Sequence, residues 1–164
     1  MTAMVVMNEG TFLISTDRSK LDINVIHRFL TRSYWAEGIP RETVARSIEN
    51  SLCFGVYNGG EQVGFARVVS DYATYAYIAD VFILEAYRGR GLSKELMASV
   101  MAHPKLQGLR RWSLGTRDAH GLYEQFGFTP VESRSRMMME IADPDVYLRS
   151  AKARNSAPDG ESRS

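Results

Sequence analysis

The sequence predicts an α+β fold: a mixed, mostly antiparallel twisted sheet with helices on both faces and one parallel β-α-β crossover. Three observations lead to this. Two β-rich runs flank Asn58-Gly59-Gly60, a hairpin signal that implies antiparallel pairing. A third β run, "TYAYIADVFIL" (Thr74 to Leu84), feeds through a glycine-containing loop into an amphipathic stretch. A short β run, "RRWSLGT" (Arg110 to Thr116), follows that stretch, which is the order of a parallel crossover.

The elements follow in chain order. "TFLIS" (Thr11 to Ser15) reads as the first strand. "DINVIHRFLTRSYW" (Asp22 to Trp35) spaces Ile23, Ile26, Phe29 and Leu30 as one helical face. Pro40 opens a second helix with Val44 and Ile48 on one side. After the hairpin and the third β run, "LSKELMASVMAH" carries Leu92, Leu96, Met97, Val100 and Met101 on one stripe, and Pro104 ends it. "DAHGLYEQFGF" predicts a helix with Asp118 as N-cap and Gly127 just past its end. "RMMMEI" predicts a last strand, with Met137 to Met139 filling core. From Ser150 the chain is polar and rich in Ser, Pro and Gly, so residues 1–149 are expected to form one domain and 150–164 a disordered tail.

Composition limits the function. A chain of 164 residues suits one domain with a sizeable core. A net charge of +1 gives no bulk attraction to nucleic acid or an anionic membrane, so neither is expected as a partner. A single cysteine, Cys53, allows no disulfide within the chain, and a cytoplasmic location is the natural expectation. The first fifteen residues make a poor signal peptide, and no run approaches eighteen apolar residues.

The stretch "YRGRGLSKEL" (Tyr87 to Leu96) carries the functional signal. Two glycines this close mean that the backbone must turn tightly or approach something. A strand, a glycine loop and a helix N-terminus together favour an anion, through exposed N–H groups and the helix dipole. A Walker loop fails on the spacing of Gly91 and Lys94, and a dinucleotide fingerprint fails because Lys94 stands where its third glycine should be.

Arg88-Gly89-Arg90-Gly91-Leu92-Ser93 resembles the R/Q-x-x-G-x-G/A motif of the GNAT superfamily of acyl-CoA-dependent N-acyltransferases. "ADVFILEAYRGRGLSKELM" looks like that family's fourth strand, loop and third helix, and "LYEQFGF" (Leu122 to Phe128) is similar to its late Y-x-x-x-G-F segment. The resemblance covers Tyr75 to Phe128, while the earlier elements match only in order and length. Ser93 departs from the usual Gly or Ala, and its hydroxyl could bond a phosphate or crowd it. The resemblance implies that acetyl-CoA is the co-substrate, with no metal. It also implies that Arg88, Gly89, Arg90, Gly91, Leu92, Ser93 and Lys94 hold the pyrophosphate, and that Val81, Phe82 and Ile83 hold pantetheine.

The expected reaction is direct attack of an amine on a thioester, with both substrates bound together and oriented. It needs a base for the amine, a donor for the oxyanion, and help for the leaving thiolate. Tyr123 matches the family's tyrosine beside the thiol, the alternative being a ring packed under the sheet. Asp80 is the only carboxylate inside its apolar strand, which is costly without a partner or a use. It is expected as the base; ordering a loop or binding the acceptor's amine are equal alternatives, and Tyr77 is another base. A backbone amide of Val81 or Ile83 is the expected oxyanion donor. Arg32, Tyr34, Trp35 and Glu37 lie where this family often builds its acceptor pocket, though exposed structural roles fit as well.

Cys53 reads as core rather than as a nucleophile. His27, His103 and His120 lack metal-ligand spacing, while His120 could reach the site. Three classes therefore stand. The first is an acetyltransferase acting on a small-molecule or peptide amine, for which a homodimer is a compatible assembly. The second is a non-catalytic acyl-CoA sensor, and the third a nucleic-acid or histone adaptor, disfavoured by charge.

Overall fold

The structure is a computed structural model that describes residues 2–7, 10–131 and 149. The chain divides into two compact units, one built from Met1–Asp22 and Arg46–Val131, the other containing Ile23–Ala45. The predicted strand "RMMMEI" and the predicted tail lie outside the described residues.

In the first unit a six-stranded sheet runs in the order β1-β2-β3-β4-β5-β6. Its strands are β1 (Thr2–Met7), β2 (Gly10–Ser15), β3 (Leu52–Asn58), β4 (Glu61–Ser70), β5 (Tyr75–Ile83) and β6 (Arg111–Leu114). Neighbours pair antiparallel from β1 to β5, and β5 with β6 is parallel. The expected mixed, mostly antiparallel sheet is thus observed. The sequence reading gave no strand before Thr11. "TAMVVM" has no alternation, and pairing with β2 from Met7↔Gly10 to Thr2↔Ser15 makes it one.

The β3–β4 hairpin turns on Gly59 and Gly60, at φ +56° and +94°. Two positive φ values suit the twist of the flanking strands, which is why the turn demands glycine. The β4–β5 connection is held differently. The Asp71 carboxylate accepts the N–H groups of Ala73, Thr74 and Tyr75 at 2.8–3.1 Å and the Thr74 hydroxyl at 2.6 Å. These bonds to Thr74 and its neighbours hold the Asp71 carboxyl well below the usual carboxylate range.

Helix α3 (Leu92–Met101) connects β5 to β6. It buries Leu92, Leu96, Met97 and Val100 in one cluster with Phe54, Val56, Val68, Ala76, Ile78 and Ile83 of the sheet. The predicted stripe is the buried one, except that Met101 is only partly covered. Helix α4 (His120–Glu124) adds Tyr123 to this cluster. Gly64 on β4 lets β5 approach. A Cβ there would sit 3.0 Å from the Phe82 carbonyl oxygen and 3.1 Å from the Val56 Cβ.

In the second unit, α1 (Ile23–Leu30) buries Ile26 and Leu30. It stops five residues short of the predicted Trp35, because the Ser33 hydroxyl takes the Leu30 carbonyl at 2.7 Å. Gly38, at φ +73°, then donates to the Thr31 carbonyl and closes the turn. Helix α2 (Arg41–Glu49) starts as predicted, with the Pro40 carbonyl accepting from Thr43 and Val44 at 3.1 Å.

His103 follows α3 and is only 6% exposed. Its Nδ1 accepts the Lys105 N–H at 3.3 Å, and its ring meets Phe54 edge-on. Burial first, then nearby positive charge including Lys105, holds its pKa below the ordinary 6.5. The folded state therefore resists a proton that the unfolded chain accepts. Stability should be full above about pH 6.5 and fall as pH drops toward the lowered folded value.

Two predictions follow from this packing. Gly64→Ala should cost about 1–3 kcal/mol, because a strand carbonyl cannot swing aside, and a lower urea midpoint at unchanged m would show it. His103→Gln should flatten the loss of stability between about pH 7 and pH 5, where one group contributes at most about 1.4 kcal/mol per pH unit. Melting curves of parent and variant that stay parallel with pH would mean that His103 titrates alike folded and unfolded.

Candidate active site

The pairing of β4 with β5 slips by one residue between Phe65↔Phe82 and Arg67↔Ala79. Two residues, Asp80 and Val81, therefore oppose Ala66, which is a β-bulge. Asp80 sits in it at φ +54°, a conformation usually left to glycine. Aspartate is one of the few other residues that tolerates it. The bulge also resets the alternation of the strand. Ala76 and Ile78 face the α3 cluster before it, and Val81 and Ile83 after it.

On the opposite face, Arg67 Nε donates to Asp80 Oδ2 at 2.7 Å, with 19% and 9% of the two side chains exposed. Arg67 Nη1 also donates to Ser51 Oγ at 3.3 Å, and Arg18 donates to the Ser51 carbonyl at 3.2 Å. Asp80 is therefore partnered within its apolar strand. Cys53 lies nearby and buried; desolvation pushes its thiol up to about 11 even with Arg67 beside it. That agrees with a core thiol and leaves almost no thiolate at neutral pH.

The parallel ladder between β5 and β6 runs only from Tyr75↔Arg111 to Ile78↔Leu114. Past Ile78 the edge of β5, from Ala79 to Ile83, extends beyond the end of β6. Val81, Phe82 and Ile83 lie on this stretch and lead through Leu84 to Tyr87 into the glycine loop. Arg88 Nε donates to the Ile83 carbonyl at 3.0 Å and ties the loop to the strand end. Gly89 and Gly91 stand at φ +76° and +80°. Gly91 is the N-cap residue of α3 and brings no side-chain cap. The first-turn amides and the positive end of the helix dipole thus meet the loop without a capping side chain. Arg88 and Lys94 are exposed, and Ser93 is half-buried beside them. Arg90 lies over the Tyr87 ring at 5.5 Å.

At α4 the predicted cap needs correction. Ala119, not Asp118, takes the N-cap position, because Thr116 Oγ1 captures the Ala119 N–H at 3.0 Å. Asp118 is exposed, 3.9 Å from Arg117. The other end is as predicted. Gly127, at φ +86°, donates to the Glu124 carbonyl, and Phe128 donates to the Tyr123 carbonyl. This pair of bonds is the Schellman motif. It holds Tyr123 buried in the α3 cluster with its ring edge-on to Phe128. His120 is exposed at the start of the helix.

The acetyltransferase (GNAT) family model matches residues 23–128, more than half of the chain. The chain belongs to the GNAT acetyltransferase family. A Xanthomonas campestris structure assigned to that family is 56% identical to this GNAT chain, with a TM-score of 0.80 over 83% of this chain and 96% of that one. A Gibberella zeae protein named as an acetyltransferase is 31% identical over 70% of this chain and 76% of its own. A Clostridium acetobutylicum protein solved with acetyl-CoA shares the fold at a TM-score of 0.59, with 15% identity over 87% of this chain and 96% of that one.

The GNAT chain thus brings together the β5 end, the glycine loop and Tyr123, with Ile83, Leu92 and Tyr123 in one cluster. Arg32, Tyr34 and Trp35 belong to the second unit. There Tyr34 and Trp35 are exposed and in edge contact at 5.0 Å, and Trp35 also leans on Phe29. Tyr77 is exposed on β5. Arg67 was missed from sequence, although a signal existed: Arg67 and Asp80 are opposite charges, each alone in an apolar run of adjacent strands. A cavity of about 390 Å³ lies elsewhere, at the β3–β4 hairpin, lined by Thr11, Leu13, Lys20 and Tyr57 among others. Burial raises the Tyr57 phenol to about 12. Among the described residues no group of three His, Cys, Asp or Glu could hold a metal ion, and no helix is long and apolar enough to cross a membrane.

Proposed function

We propose that this GNAT acetyltransferase moves an acetyl group from acetyl-CoA directly to a primary amine of a small molecule or peptide, with both substrates bound at once. The observation that supports this most is the loop from Arg88 to Gly91. It sits at an uncapped helix N-terminus and is tied by Arg88 to a strand edge that outruns its neighbour. Such a loop suits a pyrophosphate, and such an edge suits an extended amide-bearing chain like pantetheine. Residues 1–149 are taken as one catalytic domain, since the family match runs across both compact units. A reducing, cytoplasmic setting suits the single buried thiol.

In this mechanism the amides around Gly89 to Ser93 hold the pyrophosphate, with Arg88, Arg90 and Lys94 adding positive charge. The edge of Val81, Phe82 and Ile83 aligns pantetheine, and an amide of Val81 or Ile83 receives the charge that develops on the thioester oxygen. Asp80 handles the amine, either binding the ammonium or taking its proton. Its Oδ2 also accepts from Arg67. The ammonium first gives one proton to Asp80 or to water. The nitrogen lone pair then attacks the carbonyl carbon, the C–S bond breaks, the thiolate takes the Tyr123 proton, and the second nitrogen proton returns through water to the tyrosinate. The exposed aromatics Tyr34 and Trp35, with Arg32, are assigned to the acceptor. The proposal is tested by release of free thiol from acetyl-CoA with polyamines, amino acids, aminoglycosides and peptide N-termini as acceptors. Binding of acetyl-CoA without turnover on any acceptor would instead favour a sensor.

Two variants probe the parts. Gly91→Glu puts a Cβ at φ +80° and a like charge beside the pyrophosphate, so calorimetry should show near-complete loss of acetyl-CoA binding in a folded protein. Unchanged affinity would reject the loop as the cradle. Tyr123→Phe keeps the buried ring and removes only the hydroxyl. Because an acid of this kind contributes about 10²–10⁴-fold and a thiolate leaves fairly well unaided, kcat should fall about tenfold to a few hundredfold with acetyl-CoA affinity little changed. Full activity would return Tyr123 to a packing role alone.

A further inference from the structure

We infer that Arg67 is a positioning residue for acetyl-CoA, because its ion pair with Asp80 holds the β5 bulge and so sets the strand edge that receives the thioester arm. The inference rests on the proposed binding of acetyl-CoA along Val81 to Ile83.

The argument starts from the backbone. A non-glycine residue in the left-handed region costs about 1–2 kcal/mol. Asp80 occupies that region inside a strand, at φ +54°. Nothing in the local sequence "YIADVFI" demands a bulge, and a regular pairing of β4 with β5 would avoid the strain. Such a regular pairing would also move Val81 to Ile83 by one residue and exchange their faces. Ile83 would then leave the α3 cluster, and the ladder edge beyond Ile78 would present different amides.

Something must oppose that slip, and the Arg67 guanidinium is placed to do so. Arg67 lies on β4 opposite Ala79, immediately before the extra residue of β5. It grips the Asp80 carboxylate through Nε at 2.7 Å, with both side chains mostly buried. Its Nη1 is anchored to Ser51 Oγ, and Ser51 is itself buried and held by Arg18 through its carbonyl. The fork of Arg67 thus fixes the Asp80 side chain against a second point of the first unit, and the pair is lost if β5 shifts register. A planar, two-point donor suits this role in a way a lysine ammonium does not.

The test separates the charge pair from the backbone conformation that it maintains. Arg67→Met with Asp80→Gly removes both charges but leaves a residue that adopts positive φ at little cost. Arg67→Met with Asp80→Ala removes the same charges and leaves the strain. With acetyl-CoA as titrant in calorimetry, the glycine double variant should bind close to the parent. The alanine double variant should bind about five- to thirtyfold more weakly. Equal affinities in the two folded double variants would overturn the inference. If either melts below the assay temperature, Arg67→Met is compared with Arg67→Met/Asp80→Gly: the single variant should bind about five- to thirtyfold more weakly than the double, and equal affinities would overturn the inference. A parent that fails to bind acetyl-CoA would instead sink the proposed function, so the two failures are distinguishable.

Discussion

The middle of the sheet depends on one aspartate held in a conformation that strands normally exclude. With Asp80 at φ +54°, β5 gains a residue over β4, and its side chains exchange faces at that point. Ala76 and Ile78 can then pack under α3 on one side of the bulge, and Val81 and Ile83 on the other. A strand without the bulge would bury Phe82 in that cluster instead, and Phe82 would lose its packing against Phe65. Gly64 belongs to the same arrangement, since its missing side chain leaves room for the Phe82 carbonyl and the Ile83 side chain.

Strand length does the rest. β6 pairs with only the first part of β5, so the sheet opens where the chain approaches the glycine loop. The loop is short because Arg88 folds back onto Ile83, and two glycines take the positive φ values that this tight path needs. α3 starts at once behind it and is anchored by four buried side chains. The helix therefore cannot drift from the strand end. A loop held in place before binding suits a ligand, because little conformational freedom remains to be lost.

The polar groups beside the core of the first unit are arranged by the same logic. The half-buried Arg67 and Asp80, the buried Ser51 and the exposed Arg18 form a connected set beside the buried Cys53 thiol. A buried pair of this kind adds little net stability, since desolvation offsets the attraction. Its value is directional: the charged hydrogen bonds fit only one register of β4 on β5. His103 is the contrasting case, a buried ring whose pKa burial holds below its ordinary value.

By itself the sequence determined the element order from Thr11 to Gly127, the hairpin at Gly59-Gly60, the amphipathic face of α3, the turn at Gly127 and the glycine loop with its family resemblance. Each of these is written in local chemistry: a period, a cap, or a residue that alone accepts positive φ. Tertiary structure decided what depends on partners far apart in the chain. β1 exists because β2 lies beside it, and α1 ends early because Ser33 turns back on Leu30. Asp80 read as a solitary carboxylate suited to a base, and the fold gave it Arg67 as a partner and a bulge to occupy. No periodicity marks that bulge in the sequence, because aspartate reaches the left-handed region without announcing it as glycine does. Only the register of β4 against β5 brings together two charges thirteen residues apart.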